Sequence, residues 1–293
     1  MSLARIIVIT SLAMIAFAGN SLLCRIAFKE TDIDAASFTT IRLISGAVML
    51  WVVARIRAGK HVGKGSWLSA TALFVYAAGF SFAYLSLSVA TGALLLFASV
   101  QATMIGYGIW TGERLLKLQI IGLICALVGL VGFLLPGISA PPLYESVLML
   151  IAGGAWGIYS IRGKATGDPT RITAGNFLRA VPIAVVLSIL MLDHSSLDVP
   201  GFWYAVSSGA VASGIGYAIW YAALPFLSAT NAATVQLSVP VIAALGGIVL
   251  LGEHMTLRLA LSSAAILGGI ALVIRVRQHG LSPDEPLQAA SKN

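Results

Sequence analysis

The residues of this sequence that could do chemistry are few and widely spaced. Two short stretches repeat one pattern: Ile109-Trp110-Thr111-Gly112-Glu113-Arg114-Leu115 and Val249-Leu250-Leu251-Gly252-Glu253-His254-Met255. Each closes an apolar run with Gly-Glu and opens another, so Glu113 and Glu253 first read as paired carboxylates for acid–base work. Arg42 and Arg179 fall about a third of the way into apolar runs, where an unpaired cation is costly. Each either snorkels or caps carbonyls at a helix end, or attracts a substrate carboxylate. Asn20, Ser81, Gln101, Asn176, Gln236 and Ser238 are uncharged polar groups at depth, which either bond between helices or line a wetted path. Gln101 is the first choice for the path. Ser238 is next, beside Pro240, which removes a backbone hydrogen bond and frees a carbonyl for packing or gating.

Aromatic rings accompany these polar groups. Tyr76, Phe80 and Tyr84 are spaced to share one helical face, and Tyr217, Trp220 and Tyr221 form a similar stripe. Phe17, Phe97, Trp156 and Tyr159 add rings elsewhere. Rings near span ends fit an interfacial belt or ordinary packing, whereas those near mid-span fit a cavity lining. Enzyme chemistry finds no purchase: none of the 11 carboxylates lies mid-span, and His61, His194, His254 and His279 are in loops or at span ends. No His-Glu metal motif, metal-ligand cluster or Ser-His-Asp arrangement is discernible, so the sequence reads as a non-enzyme without cofactor or metal. The same lack of a deep carboxylate argues against strong coupling to protons or sodium.

The elements that must position these residues are membrane helices. The 293 residues are 58% hydrophobic and 10% charged, with a mean hydropathy of +0.94. A soluble domain normally carries about 25% charged residues. The apolar runs are long and do not alternate, so they predict helices rather than a barrel. Ten spans are expected, at about 5 to 27, 35 to 56, 66 to 88, 90 to 111, 115 to 135, 143 to 162, 172 to 192, 200 to 223, 229 to 251 and 256 to 276. The first resembles a signal peptide ending at Ala16-Phe17-Ala18, but its apolar run continues to Ala27 and is read as retained. Cys24 and Cys125 both lie in apolar runs, which argues for small packed residues rather than a disulfide.

The net charge of +7 comes from basic residues in loops, which is topology rather than nucleic-acid binding. The cluster from Arg55 to Lys64 is placed in the cytoplasm, and alternation puts Arg114, Lys117, Arg162, Lys164, Arg171 and Arg275 beside it. Lys29 to Asp34, Ile138 to Pro142, Asp193 to Asp198 and Arg258 fall on the other side. Both termini are then cytoplasmic, in a multi-pass protein of the cell inner membrane.

The Gly-Glu junctions lie about 140 positions apart, near half the chain, and Gly129 with Gly269, Arg42 with Arg179 and Gly19 with Gly157 recur at nearly the same offset. One unit is written twice: residues 1–138 and 139–277, followed by a disordered cytoplasmic tail at 278–293. Five helices per unit invert the second copy in the membrane, a construction used by secondary transporters. Glu113 and Glu253 therefore stand at opposite faces, separated by about 30 Å of hydrocarbon. They cannot form one site, and each is read as a carboxylate at a helix junction, satisfying free N–H groups.

Ala18-Gly19-Asn20 and Trp156-Gly157, Ile41-Arg42-Leu43 and Leu178-Arg179-Ala180, and Gly112-Glu113…Gly122…Gly129 with Gly252-Glu253…Gly269 resemble the duplicated EamA-type domain of the drug/metabolite transporter superfamily. The similarity spans about residues 5 to 276. It implies ten transmembrane helices in two inverted five-helix repeats, with the first four of each around a central cavity. It also implies export of amino acids or related metabolites, with the ring-rich interior closest to aromatic and bulky amino-acid exporters. The sequence departs from the pattern where Val100-Gln101 stands opposite Pro240-Val241, so the halves are unequal at the cavity.

The expected function is export of small metabolites, chiefly aromatic or hydrophobic amino acids, by alternating access without strong ion coupling. Phe17, Asn20, Tyr76, Phe80, Tyr84, Phe97, Gln101, Trp156, Tyr159, Tyr217, Trp220, Ser238 and Pro240 are the substrate-binding candidates. Partners are the small-molecule substrate and the lipid bilayer. A nucleotide-sugar or drug carrier on the same fold, or a non-transporting sensor or assembly partner, are the alternatives.

Overall fold

A computed structural model describes residues 3–56, 65–112, 114–137, 139–163, 168–227 and 229–279. The basic run Arg57 to Lys64, Glu113, Ile138, Lys164 and the tail beyond His279 lie outside these residues. The described chain is helical: α1 (Leu3–Glu30), α2 (Ala35–Ile56), α3 (Trp67–Ala83), α4 (Val89–Trp110), α5 (Lys117–Leu134), α6 (Leu143–Arg162), α7 (Pro169–Leu190), α8 (Val199–Val206), α9 (Gly216–Ala223), α10 (Ala229–Gln236), α11 (Ser238–Leu251) and α12 (Leu257–His279). Polar side chains start several of them. Asp34, Ser66, Ser88, Asp168 and Asp198 each accept a backbone N–H two or three residues on, which satisfies donors that a helix start leaves free.

Among the described residues, eight helical stretches are long and apolar enough to cross a membrane, with Val199–Phe226 counted as one. The two further rods expected from the sequence are also helical. Trp67–Ala83 is apolar but only 17 residues long, and Leu143–Arg162 carries Glu145 in its first turn and Arg162 in its last. Two expected helices are irregular. Between α8 and α9 the chain continues as a π-helix over Ser207–Ile215, where Ser208, Gly209, Ala212, Ser213 and Gly214 are buried. Between α10 and α11 the helix breaks at Leu237, because Pro240 has no N–H for the Gln236 carbonyl one turn earlier.

The repeated glycines have a packing role. A side-chain carbon on Gly122 would stand 2.6 Å from the Gly269 carbonyl oxygen. Only hydrogen fits there, so α5 and α12 pack backbone to backbone. Gly252 ends α11 with a φ of +63°, and Gly112 follows α4 with a φ of +96°, conformations that glycine adopts without a Cβ clash.

Hydrogen bonds gather the loops at the two ends of the bundle. At one end the Asp34 carboxylate accepts from Ser196 N at 3.0 Å, Lys29 Nζ donates to Leu251 O at 2.9 Å, and Ser86 donates to Glu145 at 3.0 Å. Arg258 donates there to the Gly132 and Leu135 carbonyls. At the other end Ser66 N donates to Asn176 Oδ1 at 2.8 Å, and Arg162 donates to Ser69 at 3.2 Å.

Candidate functional site

A cavity of about 350 Å³ lies between α1, α3, α4, α6, the π-helix, α9 and α10. Rings form its frame. Trp156 stacks on Tyr217 at 5.2 Å and 19°, and meets Tyr76 at 4.9 Å. Tyr76 continues to Phe80 at 5.5 Å, while Tyr217 continues through Phe17 at 5.6 Å to Trp220 at 6.1 Å. Helical periodicity produces this frame: Tyr76 and Phe80 are one turn apart on α3, Tyr217 and Tyr221 one turn apart on α9. Such rings supply flat apolar area and a face attractive to cations.

Phe17, Asn20, Tyr76, Phe80, Phe97, Gln101, Trp156, Tyr217 and Trp220 line the cavity together. Four other sequence candidates stand outside its lining. Tyr84 keeps to the i+4 stripe, its ring edge-on to Phe80 at 4.7 Å, but it lies past the end of the lining, where it packs against Gly92 with its hydroxyl 3.3 Å from Val89 O. Tyr159 stacks behind Trp156 at 5.3 Å, and its hydroxyl is held by Thr173 and Asn176 of α7. Ser238, the first residue of α11, turns back to donate to Val235 O at 2.7 Å, a local bond to the preceding turn. Pro240 is buried in α11.

The lining also holds Ser21, Met104, Ser160, Ser213 and Leu227, which no periodic signal singled out. Tyr221 and Gln236, noticed in the sequence as stripe and depth residues, belong to it as well. Among polar groups, Asn20 is tied on both sides: its amide donates to the Tyr76 hydroxyl at 3.3 Å, and its carbonyl accepts from Ser208 at 2.6 Å. Gln101 Nε2 and Ser213 Oγ are buried without a hydrogen-bond partner. Buried groups of this kind are normally satisfied, so their spare capacity is a recognition resource.

The two arginines have parted roles. Arg179 is half-buried and donates to Gly175 O, 3.0 Å away and one turn back within its own helix rather than at a helix end. Arg42 is only 2% exposed and does not snorkel. Its guanidinium sits 5.1 Å from the Tyr76 ring and 4.8 Å from the Phe80 ring, and donates to the Tyr76 hydroxyl at 2.9 Å.

The cavity is closed toward one end of the bundle. Its lining reaches Ser21 on α1, Phe80 on α3 and Leu96 on α4, and goes no farther in that direction. Beyond it the Glu253 carboxylate accepts the Val89 N–H with both oxygens, at 3.0 and 2.9 Å. Arg25 stands 3.8 Å from that carboxylate and donates to the Tyr84 and Leu85 carbonyls at 3.0 and 2.8 Å. Glu253 thus caps a helix N-terminus, but that of α4; the helix following it, α12, is capped by Thr256, which accepts from Leu259 N at 3.1 Å. Toward the other end the lining runs on to Met104, Gly163, Leu224 and Leu227, where α4, α6 and α9 finish.

Comparison with known proteins fits this architecture. A solved crystal structure, 18% identical, matches with a TM-score of 0.66 over 96% of this chain and 100% of its own, which establishes a shared fold. An uncharacterized protein of Pseudomonas aeruginosa is 53% identical over 93% of this chain and 96% of its own length. The sequence model of the EamA-like transporter family matches residues 143–275. The threonine/homoserine exporter RhtA of Salmonella typhimurium is 30% identical, over 62% of this chain and 67% of its own. The chain belongs to the EamA-like transporter family. With it the chain joins the drug/metabolite transporter superfamily. An uncharacterized transporter of Archaeoglobus fulgidus, 24% identical, extends the likeness over 92% of this EamA-like chain and 96% of that protein. The family and the Archaeoglobus fulgidus relative are named as transporters, and RhtA as an exporter.

Proposed function

We propose that this protein exports small metabolites across the cell inner membrane, with aromatic or hydrophobic amino acids the favoured class. The observation that carries this reading is the ring-framed cavity, closed at one end by Glu253, Arg25 and Val89 and continuing toward the other. Its volume of about 350 Å³ suits one small solute. Rings stack the apolar side chain, while Gln101, Asn20 and the Tyr76 hydroxyl serve the polar end. RhtA, named as a threonine/homoserine exporter, supports amino acids as the wider class, while the aromatic preference rests on the rings.

Ten spans in two inverted repeats, 1–138 and 139–277, make the transport cycle. In support, helix partners exchange between halves: α3 packs on α6 as α1 packs on α8 and α9, and α4 packs on α6 as α11 packs on α1. α2 with α7, α4 with α11 and α5 with α12 pair across the halves. Tyr84, Tyr159, Ser238 and Pro240 belong to the moving walls of the site rather than its face in this conformation. Arg162 and Arg171 mark the end toward which the cavity continues, so by the positive-inside bias that end is cytoplasmic and the conformation is the one that loads. Rocking of the halves about the pseudo-two-fold axis then presents the solute outside. Among the described residues the cavity lining carries no carboxylate or histidine, which supports downhill, weakly coupled flux.

Proteoliposomes loaded with labelled phenylalanine or tryptophan test the reading. Saturable efflux with little dependence on an imposed pH gradient is expected. A steep rise with that gradient sinks the uncoupled mechanism, and no movement of any amino acid sinks the substrate class.

A further inference from the structure

We infer that Arg42, acting through the Tyr76 hydroxyl, forms an anion-binding wall that selects solutes for a carboxylate and not for an amino group. This rests on the cavity being the solute site. Arg42 is buried within the helical bundle, its Nη1 has no hydrogen-bond partner, and no carboxylate pairs with it among the described residues. A guanidinium cannot discharge itself by losing a proton, and ring faces compensate only part of its charge. A buried cation with a spare donor is matched by an anion that arrives and leaves.

The path from Arg42 to the cavity is short. Its Nη2 donates to the Tyr76 hydroxyl at 2.9 Å, and Asn20 donates to the same oxygen at 3.3 Å. Two accepted hydrogen bonds occupy both lone pairs of that oxygen, so Tyr76 keeps its own O–H to donate. Tyr76 lines the cavity, and the arginine behind it strengthens the O–H as a donor. Gln101 Nε2 and Ser213 Oγ, also on the lining, add unpartnered donor capacity. A carboxylate, which only accepts, complements such a wall. An ammonium, which only donates, meets no carboxylate on the lining and is left to the ring faces. The carboxylate is therefore the required group and the amino group is dispensable, so aryl-substituted monocarboxylates bind as well as the corresponding amino acids.

Thermal-shift titration of the purified full-length protein tests this with three probes that share one ring, phenylalanine, 3-phenylpropionate and phenethylamine, and with the ring-free carboxylate hexanoate. Phenylalanine and 3-phenylpropionate are expected to raise the melting temperature at similar concentrations, and phenethylamine to need at least tenfold more. Tyr76→Phe keeps the ring and is expected to weaken both carboxylates at least tenfold. Arg42→Gln is expected to abolish their effect, and Tyr76→Phe keeps the test alive should that variant fail to fold. Phenethylamine binding as well as 3-phenylpropionate, or Tyr76→Phe leaving both carboxylates unchanged, overturns the inference while leaving an aromatic solute site intact. Hexanoate matching 3-phenylpropionate removes the aromatic preference and leaves the carboxylate wall standing. No response to any probe overturns both.

Discussion

Glu253 holds the closed end of the cavity, and its replacement has a consequence that can be worked from the contacts. Both oxygens accept the Val89 N–H, at 3.0 and 2.9 Å, at the start of α4, and Arg25 stands 3.8 Å away. The two charged side chains are 19% and 15% exposed, so solvent screens them only in part. A hydrogen bond to a charged group contributes ~1.5–3 kcal/mol, and a carboxylate at a helix N-terminus ~0.3–1 kcal/mol more. Glu253→Gln keeps an acceptor for Val89 and discards the charge, so it removes roughly half of this sum, ~1–2 kcal/mol. If these contacts exist only while this end is closed, the loss raises the open population about tenfold, since ~1.4 kcal/mol is one decade. The assay is labelling of Ser21→Cys, in a background with Cys24→Ala and Cys125→Ala, by a membrane-impermeant maleimide applied from the closed side. Labelling about tenfold faster in Glu253→Gln is expected. An unchanged rate in a normally folded variant refutes the assignment of this cluster as the closure.

Other perturbations follow from the same contacts. Gly122→Ala sets a Cβ 2.6 Å from the Gly269 carbonyl, so α5 and α12 must separate at a cost of ~1–3 kcal/mol, read as a lowered melting temperature with residual transport. Trp156→Ala deletes ring contacts to Tyr76, Tyr159 and Tyr217, each ~0.5–1.5 kcal/mol beyond its area. It is expected to weaken phenylalanine binding at least tenfold in the thermal-shift titration, and unchanged binding removes Trp156 from the site. Arg179→Gln removes one bond to Gly175 O from a half-buried side chain and is expected to cost under ~1.5 kcal/mol, with efflux within about twofold of the parent.

Much of this arrangement is legible in the sequence because helical periodicity and apolar run length are local. Tyr76 with Phe80, and Tyr217 with Tyr221, follow from spacing alone, and Asn20 and Gln101 stand out as polar residues in apolar runs. Tyr84 obeys the spacing and meets Phe80 at 4.7 Å, but the cavity ends at Phe80, and spacing along one helix does not tell how deep a cavity runs. Ser213 and Met104 give no such signal: the π-helix that aims Ser213 replaces the ordinary period over a run of small residues, and Met104 resembles any packing residue. The two arginines are indistinguishable in sequence. Only the fold separates Arg179, which bonds its own helix, from Arg42, which lies behind two cavity rings. Glu253 is likewise identifiable as a capping residue, but its partner α4 lies 164 positions away in sequence. A contact of that separation leaves no pattern along the chain.

The claim on which the account rests is that the ring-framed cavity carries a solute across the membrane. Efflux of labelled phenylalanine or tryptophan from proteoliposomes tests it most directly, with Trp156→Ala as the paired control. Saturable efflux is expected from the parent protein, sharply reduced in Trp156→Ala, and nearly independent of an imposed pH gradient. Efflux equal in parent and Trp156→Ala, or none above empty liposomes, contradicts it.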